Sequence, residues 1–297
     1  MAAPEVKPRR VGRPRKYQPT ANVPVLGLVK QPSISDSIFE LRCGYAEALK
    51  KAVNYLLAVS TDPIDCRFRE DYVTMCVLDT FKKSRIQLKF NTSKMLHYYC
   101  SRPTNFAISH PILDTLMTKL DKTYDAVMIF AHSVSADEVI YRYESKLECP
   151  YQTVKLVHNY EPMAGEEDFD DPNYMIKFEL ASKAFKKKLS DVKLFGSPLT
   201  ISQNGRDQPL TFNYSMKDGD GLKSIDVFDS AAIKLDSKIE AEKIFSISFP
   251  HKYWNAIASS AVQDDKVEIR LSTDRPIMTT MSFAEGSIVV KALTNIF

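Results

Sequence analysis

Phe39-Glu40-Leu41 returns as Phe178-Glu179-Leu180, 139 positions later, and each copy runs into a stretch of helical pattern with adjacent lysines, Lys50-Lys51 and then Lys186-Lys187-Lys188. Phe106-Ala107-Ile108-Ser109-His110-Pro111 returns as Phe245-Ser246-Ile247-Ser248-Phe249-Pro250, again at 139. Asp125-Ala126-Val127-Met128-Ile129 parallels Asp265-Lys266-Val267-Glu268-Ile269 at 140. One three-residue match carries no information. Ordered matches on nearly one offset mean two copies of one domain, and 297 residues have room for both.

Both copies read alike. A strand (Ile38–Arg42; Ile176–Leu180) leads into an amphipathic helix (Ala46–Val59; Ser182–Val192). β-rich segments follow, among them Tyr72–Leu78, Arg85–Phe90, Leu210–Tyr214 and Ser224–Phe228. Phe-x-Ile-Ser-x-Pro then closes a strand and opens a second helix, His110–Leu120 or His251–Val262, with proline in its first turn. Closing strands are expected at Ala126–Ala131, Val139–Tyr143 and Tyr151–Val157, and at Val267–Leu271, Ile277–Phe283 and Ser287–Leu293. Two helices on one face of a largely antiparallel sheet make an α+β fold.

The repeat divides the chain into an arm at 1–36, a first domain at 37–158, a connector at 159–173 and a second domain at 174–297. Six carboxylates (Glu161, Glu166, Glu167, Asp168, Asp170, Asp171) and no base mark the connector as extended and solvated. Six prolines mark the arm as a flexible extension, and its seven Lys/Arg against Glu5 and Asp36 make it basic. The other 261 residues hold 33 bases and 35 acids, so the excess charge of the chain sits in the arm. No apolar run is long enough to span a membrane, and the basic N-terminus lacks the apolar segment of a secretory signal. Cys43, Cys66, Cys76, Cys100 and Cys149 show no paired spacing, so they read as reduced thiols of an intracellular protein.

Pro8-Arg9-Arg10-Val11-Gly12-Arg13-Pro14-Arg15-Lys16 resembles the AT-hook family of minor-groove binders, centred on Gly-Arg-Pro. A narrow A·T groove attracts inserted arginine, and glycine permits close approach. The resemblance implies DNA contact by Arg9, Arg10, Arg13, Arg15 and Lys16; a nuclear-localisation role for the same run is compatible with it. In the body, the duplicated plan, the Phe-x-Ile-Ser-x-Pro motifs and the run from Arg275-Pro276-Ile277-Met278 to Gly286-Ser287-Ile288-Val289-Val290 resemble the PCNA family of sliding clamps. An arm ahead of such a body is similar to the divergent clamps of large DNA viruses of the African swine fever virus kind.

That resemblance implies a head-to-tail trimer closed into a ring around duplex DNA, tethering a DNA polymerase and other replication or repair proteins. A clamp loader is a further implied partner. On the second domain's first helix, Lys183, Lys186, Lys187 and Lys193 oppose a face of Ala181, Ala184, Phe185, Leu189 and Val192, with Asp191 the one acid among them. Lysine on phosphate gives affinity without base readout. Lys51, Lys119 and Lys252 are the weaker counterparts on the other helices. The family's peptide-docking pocket maps to Met163, Pro276, Ala292, Leu293 and Thr294, with Lys291 where an aromatic is usual. Ring contacts map to Tyr151, Thr153, Val154 and Lys155 on one side and Ser224, Ile225 and Val227 on the other, and Val154→Pro is expected to give monomers.

No phosphate loop, metal-ligand spacing or nucleophile–base pattern occurs, so neither enzyme activity, metal nor cofactor is expected. An AT-hook architectural or transcription-associated protein that never encircles DNA is the alternative. The compartment is expected to be host cytoplasm for a viral protein, or the nucleus.

Overall fold

The computed structural model describes residues 36–78, 80, 82, 84–132, 137–157, 173–185, 187, 199–215, 223–228, 233–249 and 266–294. The arm residues Arg9, Arg10, Arg13, Arg15 and Lys16, the connector with Met163, and Lys186, Lys193 and Lys252 lie outside these.

The first half runs β1 (Ser37–Cys43), α1 (Ala46–Val59), β2 (Ile64–Phe68), β3 (Tyr72–Leu78), β4 (Ser84–Asn91), β5 (His97–Cys100), β6 (Thr104–Ile108), α2 (His110–Lys119), β7 (Ala126–His132), β8 (Glu138–Glu144) and β9 (Tyr151–Lys155). The second half runs β10 (Ile176–Ala181), β11 (Leu199–Asn204), β12 (Leu210–Ser215), β13 (Lys223–Phe228), β14 (Lys234–Ser237), β15 (Ile244–Phe249), β16 (Lys266–Leu271), β17 (Ile277–Phe283) and β18 (Ile288–Thr294).

Strand order repeats. The first half forms β5-β1-β7-β8-β9 and β4-β3-β2-β6; the second forms β14-β10-β16-β17-β18 and β13-β12-β11-β15. Each half therefore has two antiparallel sheets, where the sequence led us to expect one. β18 pairs with β4 over seven residues, from Ile288 opposite Phe90 to Thr294 opposite Ser84, and fuses a sheet of each half into one of nine strands.

The repeated residues are the core anchors. Phe39 and Phe178 are fully buried, and Phe106 and Phe245 nearly so. Phe39 stacks on Phe68 at 3.8 Å, and Phe178 meets Phe212 edge-on at 6.0 Å. The last sequence match slips, however. Leu41 lies opposite Ile129, whereas Leu180 lies opposite Val267, so strand pairing equates Ile129 with Val267 at an offset of 138. A slip of two keeps every side chain on its face, which is why a wrong offset still gave the right pattern.

α1 buries Leu49, Ala52, Val53 and Leu56. Pro111 sits in the first turn of α2, where its missing N–H costs nothing. The helices are locked together at their ends. Lys50 Nζ donates to the Leu120 carbonyl at 2.7 Å, covering an orphan acceptor beyond α2, and His110 Nε2 lies 3.0 Å from the Leu57 carbonyl.

Candidate nucleic-acid and partner interfaces

The outward face of α1 carries Glu47, Lys51, Asn54 and Ala58, one turn apart in succession. Lys51 Nζ lies 2.8 Å from Glu47 Oε1, and this contact holds the Glu47 carboxyl below the usual carboxylate range. The outward face of α2 carries Asp114, Thr115, Thr118 and Lys119, and Lys119 Nζ donates to Gln152 Oε1 on β9 at 2.9 Å. Lys51 and Lys119 thus sit on exposed faces as expected, but each already has a partner within the protein.

In the second half, residues 182–185 and 187 are helical. Ser182 and Phe185 are buried, while Lys183, Ala184 and Lys187 are exposed. The sequence reading put Ala181 and Ala184 on the apolar face; the structure exposes both. Ala181 ends β10 and faces out by strand alternation, while the inward face of the helix is set by Ser182 and Phe185, three residues apart, which turns Ala184 outward beside the lysines.

At the proposed docking pocket, alternation along β18 separates the expected residues. Ala292 is 3% exposed within the main core and offers no side chain to a partner, which corrects its assignment. Leu293 lies on the other face and packs with Tyr174 and Met278 in a small separate cluster. The Tyr174 hydroxyl donates to the Pro276 carbonyl at 3.0 Å, bringing Pro276 alongside, and Thr294 pairs through its backbone with Ile277 and Ser84. Sequence reasoning missed Tyr174 and Met278. Their signal was an apolar residue directly after the acidic connector, and one in phase with Leu293 on the neighbouring strand.

Tyr174 also lines a cavity of about 200 Å³ with Lys177, Asp236, Lys238 and Arg270. Burial pushes the half-buried Glu268 carboxyl up, but Lys177 at 2.8 Å and Arg270 at 2.6 Å outweigh it and hold the group below its ordinary value. A larger cavity of about 460 Å³ lies between the start of α1, the segment after α2 and the β17–β18 turn, lined by Tyr45, Tyr124 and Phe283 among others.

The expected ring contacts fall on sheet edges. Among the described residues, β9 pairs only with β8, and β13 only with β12, where Ser224, Ile225 and Val227 lie opposite Tyr214, Asn213 and Thr211. Tyr143 N–H donates to the Pro150 carbonyl and Leu156 N–H to the Asp137 carbonyl. Antiparallel alternation then turns the backbone N–H of Gln152 and Val154 toward β8, and those of Tyr151, Thr153 and Lys155 toward the open edge. The Val154 side chain is buried at 3% exposure, while Tyr151 is 66% exposed. Val154 is therefore a structural residue of its own sheet, and proline there breaks the first half before it breaks any ring.

A solved structure of proliferating cell nuclear antigen from Entamoeba histolytica superposes with a TM-score of 0.73, covering 87% of this chain and 98% of that one at 18% identity. The fold is that of proliferating cell nuclear antigen. In sequence, an uncharacterized protein of African swine fever virus (isolate Tick/Malawi/Lil 20-1/1983) is 23% identical over 269 residues, covering 86% of this chain and 87% of the relative. Proliferating cell nuclear antigen of Caenorhabditis elegans is 23% identical over 257 residues, covering 84% and 93%. No protein-family model matches the chain. Among the described residues no group of three His, Cys, Asp or Glu can hold a metal, and no helix is long and apolar enough to cross a membrane.

Proposed function

We propose that the protein is a DNA sliding clamp: a homotrimeric ring that encircles duplex DNA and tethers a DNA polymerase, and that catalyses nothing itself. One observation carries this reading. Strand order equates β18 with β9 and β4 with β13, and β18 and β4 are already joined within the chain. Asn91 N–H donates to the Ser287 carbonyl, so alternation puts the bonded pairs of that junction at Val289, Lys291 and Leu293. Their counterparts in β9 are Tyr151, Thr153 and Lys155, the three residues whose N–H groups face the open edge. Joining β9 of one chain to β13 of the next repeats a junction the chain has already made, and a repeated head-to-tail contact closes into a ring when its rotation permits. It also covers two edges that otherwise invite aggregation.

In this reading the division into an arm, two domains and an acidic connector stands as the sequence laid it out. The helices line the hole, and partner peptides dock over Pro276 and Leu293 beside Tyr174. The Gly12-Arg13-Pro14 arm adds affinity for A·T-rich duplex. That motif favours a second reading, an architectural DNA-binding protein that does not encircle its target, and the viral and PCNA relatives support an intracellular setting for either activity. Retention on DNA at high salt separates the two. A linked ring stays on closed circles and slides off linear ends, whereas a groove binder loses both substrates together as salt rises. Equal loss from circles and linear DNA contradicts the clamp.

A further inference from the structure

Building on the clamp reading, we propose that, apart from the arm, the body of each chain grips duplex DNA through its second half, because Glu47 offsets the charge of Lys51 on the first half's helix face toward phosphate. The exposed stripe of α1 contains one base, one acid and two uncharged residues: Lys51, Glu47, Asn54 and Ala58. The Lys51–Glu47 pair is solvent-exposed, at 39% and 59% of the two side chains, and such an exposed i,i+4 pair is weak, so phosphate can break it. Breaking the pair does not remove the carboxylate. A phosphate resting on Lys51 sits one helical turn from Glu47, and the repulsion offsets the attraction whether or not the two side chains touch. α2 repeats the cancellation with Asp114 and Lys119, its Lys119 is held by Gln152, and the exposed Asp121 and Lys122 beyond the helix add one charge of each sign, with Lys122 near enough to act on Glu47. Lys50 is turned to the Leu120 carbonyl.

The second half differs in kind. Lys183 and Lys187 are both exposed and lie one turn apart on a single face. The sequence adds Lys186, Lys188 and Lys193, with Asp191 alone against them. The bore thus alternates cationic and neutral sectors around the ring. Neutral sectors give the duplex surface to pass without a phosphate to exchange.

The test is the salt dependence of binding by the full chain to a short duplex of G·C pairs only, which mutes A·T minor-groove contact by the arm. Each phosphate contact contributes about 0.9 to the slope of log affinity against log salt. Lys51→Gln is expected to leave the slope unchanged, Glu47→Gln to steepen it by about 0.9 for each chain engaged, and Lys183→Gln with Lys187→Gln to flatten it by about 1.8 on the same scale. A flattening by Lys51→Gln comparable to that of one second-half lysine overturns the proposal, as does a Glu47→Gln slope equal to wild type. If the double lysine variant also leaves the slope unchanged, the second half is not the grip and the proposal is overturned, while encirclement is judged separately by retention on closed circles. All four side chains are at least partly exposed, and unchanged thermal unfolding of each variant shows that the slopes report on binding.

Discussion

Burial sets the chemistry of the thiols. It pushes Cys43 up to about 11 and Cys76 up to about 11, the latter with help from Asp65, and holds Cys66 well above its ordinary value. Cys149 is exposed. Since the thiolate is the reactive form, we expect a disulfide reagent at pH 8 to modify Cys149 at once, the half-buried Cys100 more slowly, and the other three only on unfolding. Fast loss of three or more thiols from native protein contradicts this. The β17–β18 turn holds Ala284 at φ 48° and Glu285 at φ 56°, ahead of Gly286 at φ 80°. A left-handed alanine costs about 1–2 kcal/mol, so Ala284→Gly should stabilise by about 0.5–1 kcal/mol after the entropy of the freer unfolded chain, raising Tm by about 1–3 °C. A lower Tm means the turn is not under that strain. At this scale the sequence was legible where a residue type has one use. The repeated phenylalanines were core, but nothing in Lys51 or Lys119 announced the Glu47 and Gln152 contacts, which depend on rotamer and on a distant strand.

α1 was read to its last residue because its apolar spacing and its boundaries agree, as was β3. Short strands such as β5 and β14, of four residues each, were passed over, since Tyr98 or Leu235 alone makes no alternation. Backbone phase is a property no sequence displays, and it decides the best interface test. Thr153 turns its N–H to the open edge and its neighbours turn theirs to β8. Thr153→Pro is therefore expected to leave the first half folded, with Tm within a few degrees of wild type, while preventing assembly, because proline removes one outward donor. Val154→Pro should instead lower Tm sharply. An assembled Thr153→Pro variant would show that β9 is not the joining edge.

The whole molecule is a repeat that, in the clamp reading, has used one of two equivalent junctions. The β4–β18 pairing was invisible in the sequence, because it joins the fourth strand of the chain to its last, yet the duplication that implies a second such pairing was the plainest signal there. Light scattering after gel filtration, across dilution, tests that claim most directly. The account predicts a species of three times 33.7 kDa for wild type and of one times that mass for Thr153→Pro. A wild-type chain that stays monomeric at every concentration and in the presence of circular duplex DNA would contradict it.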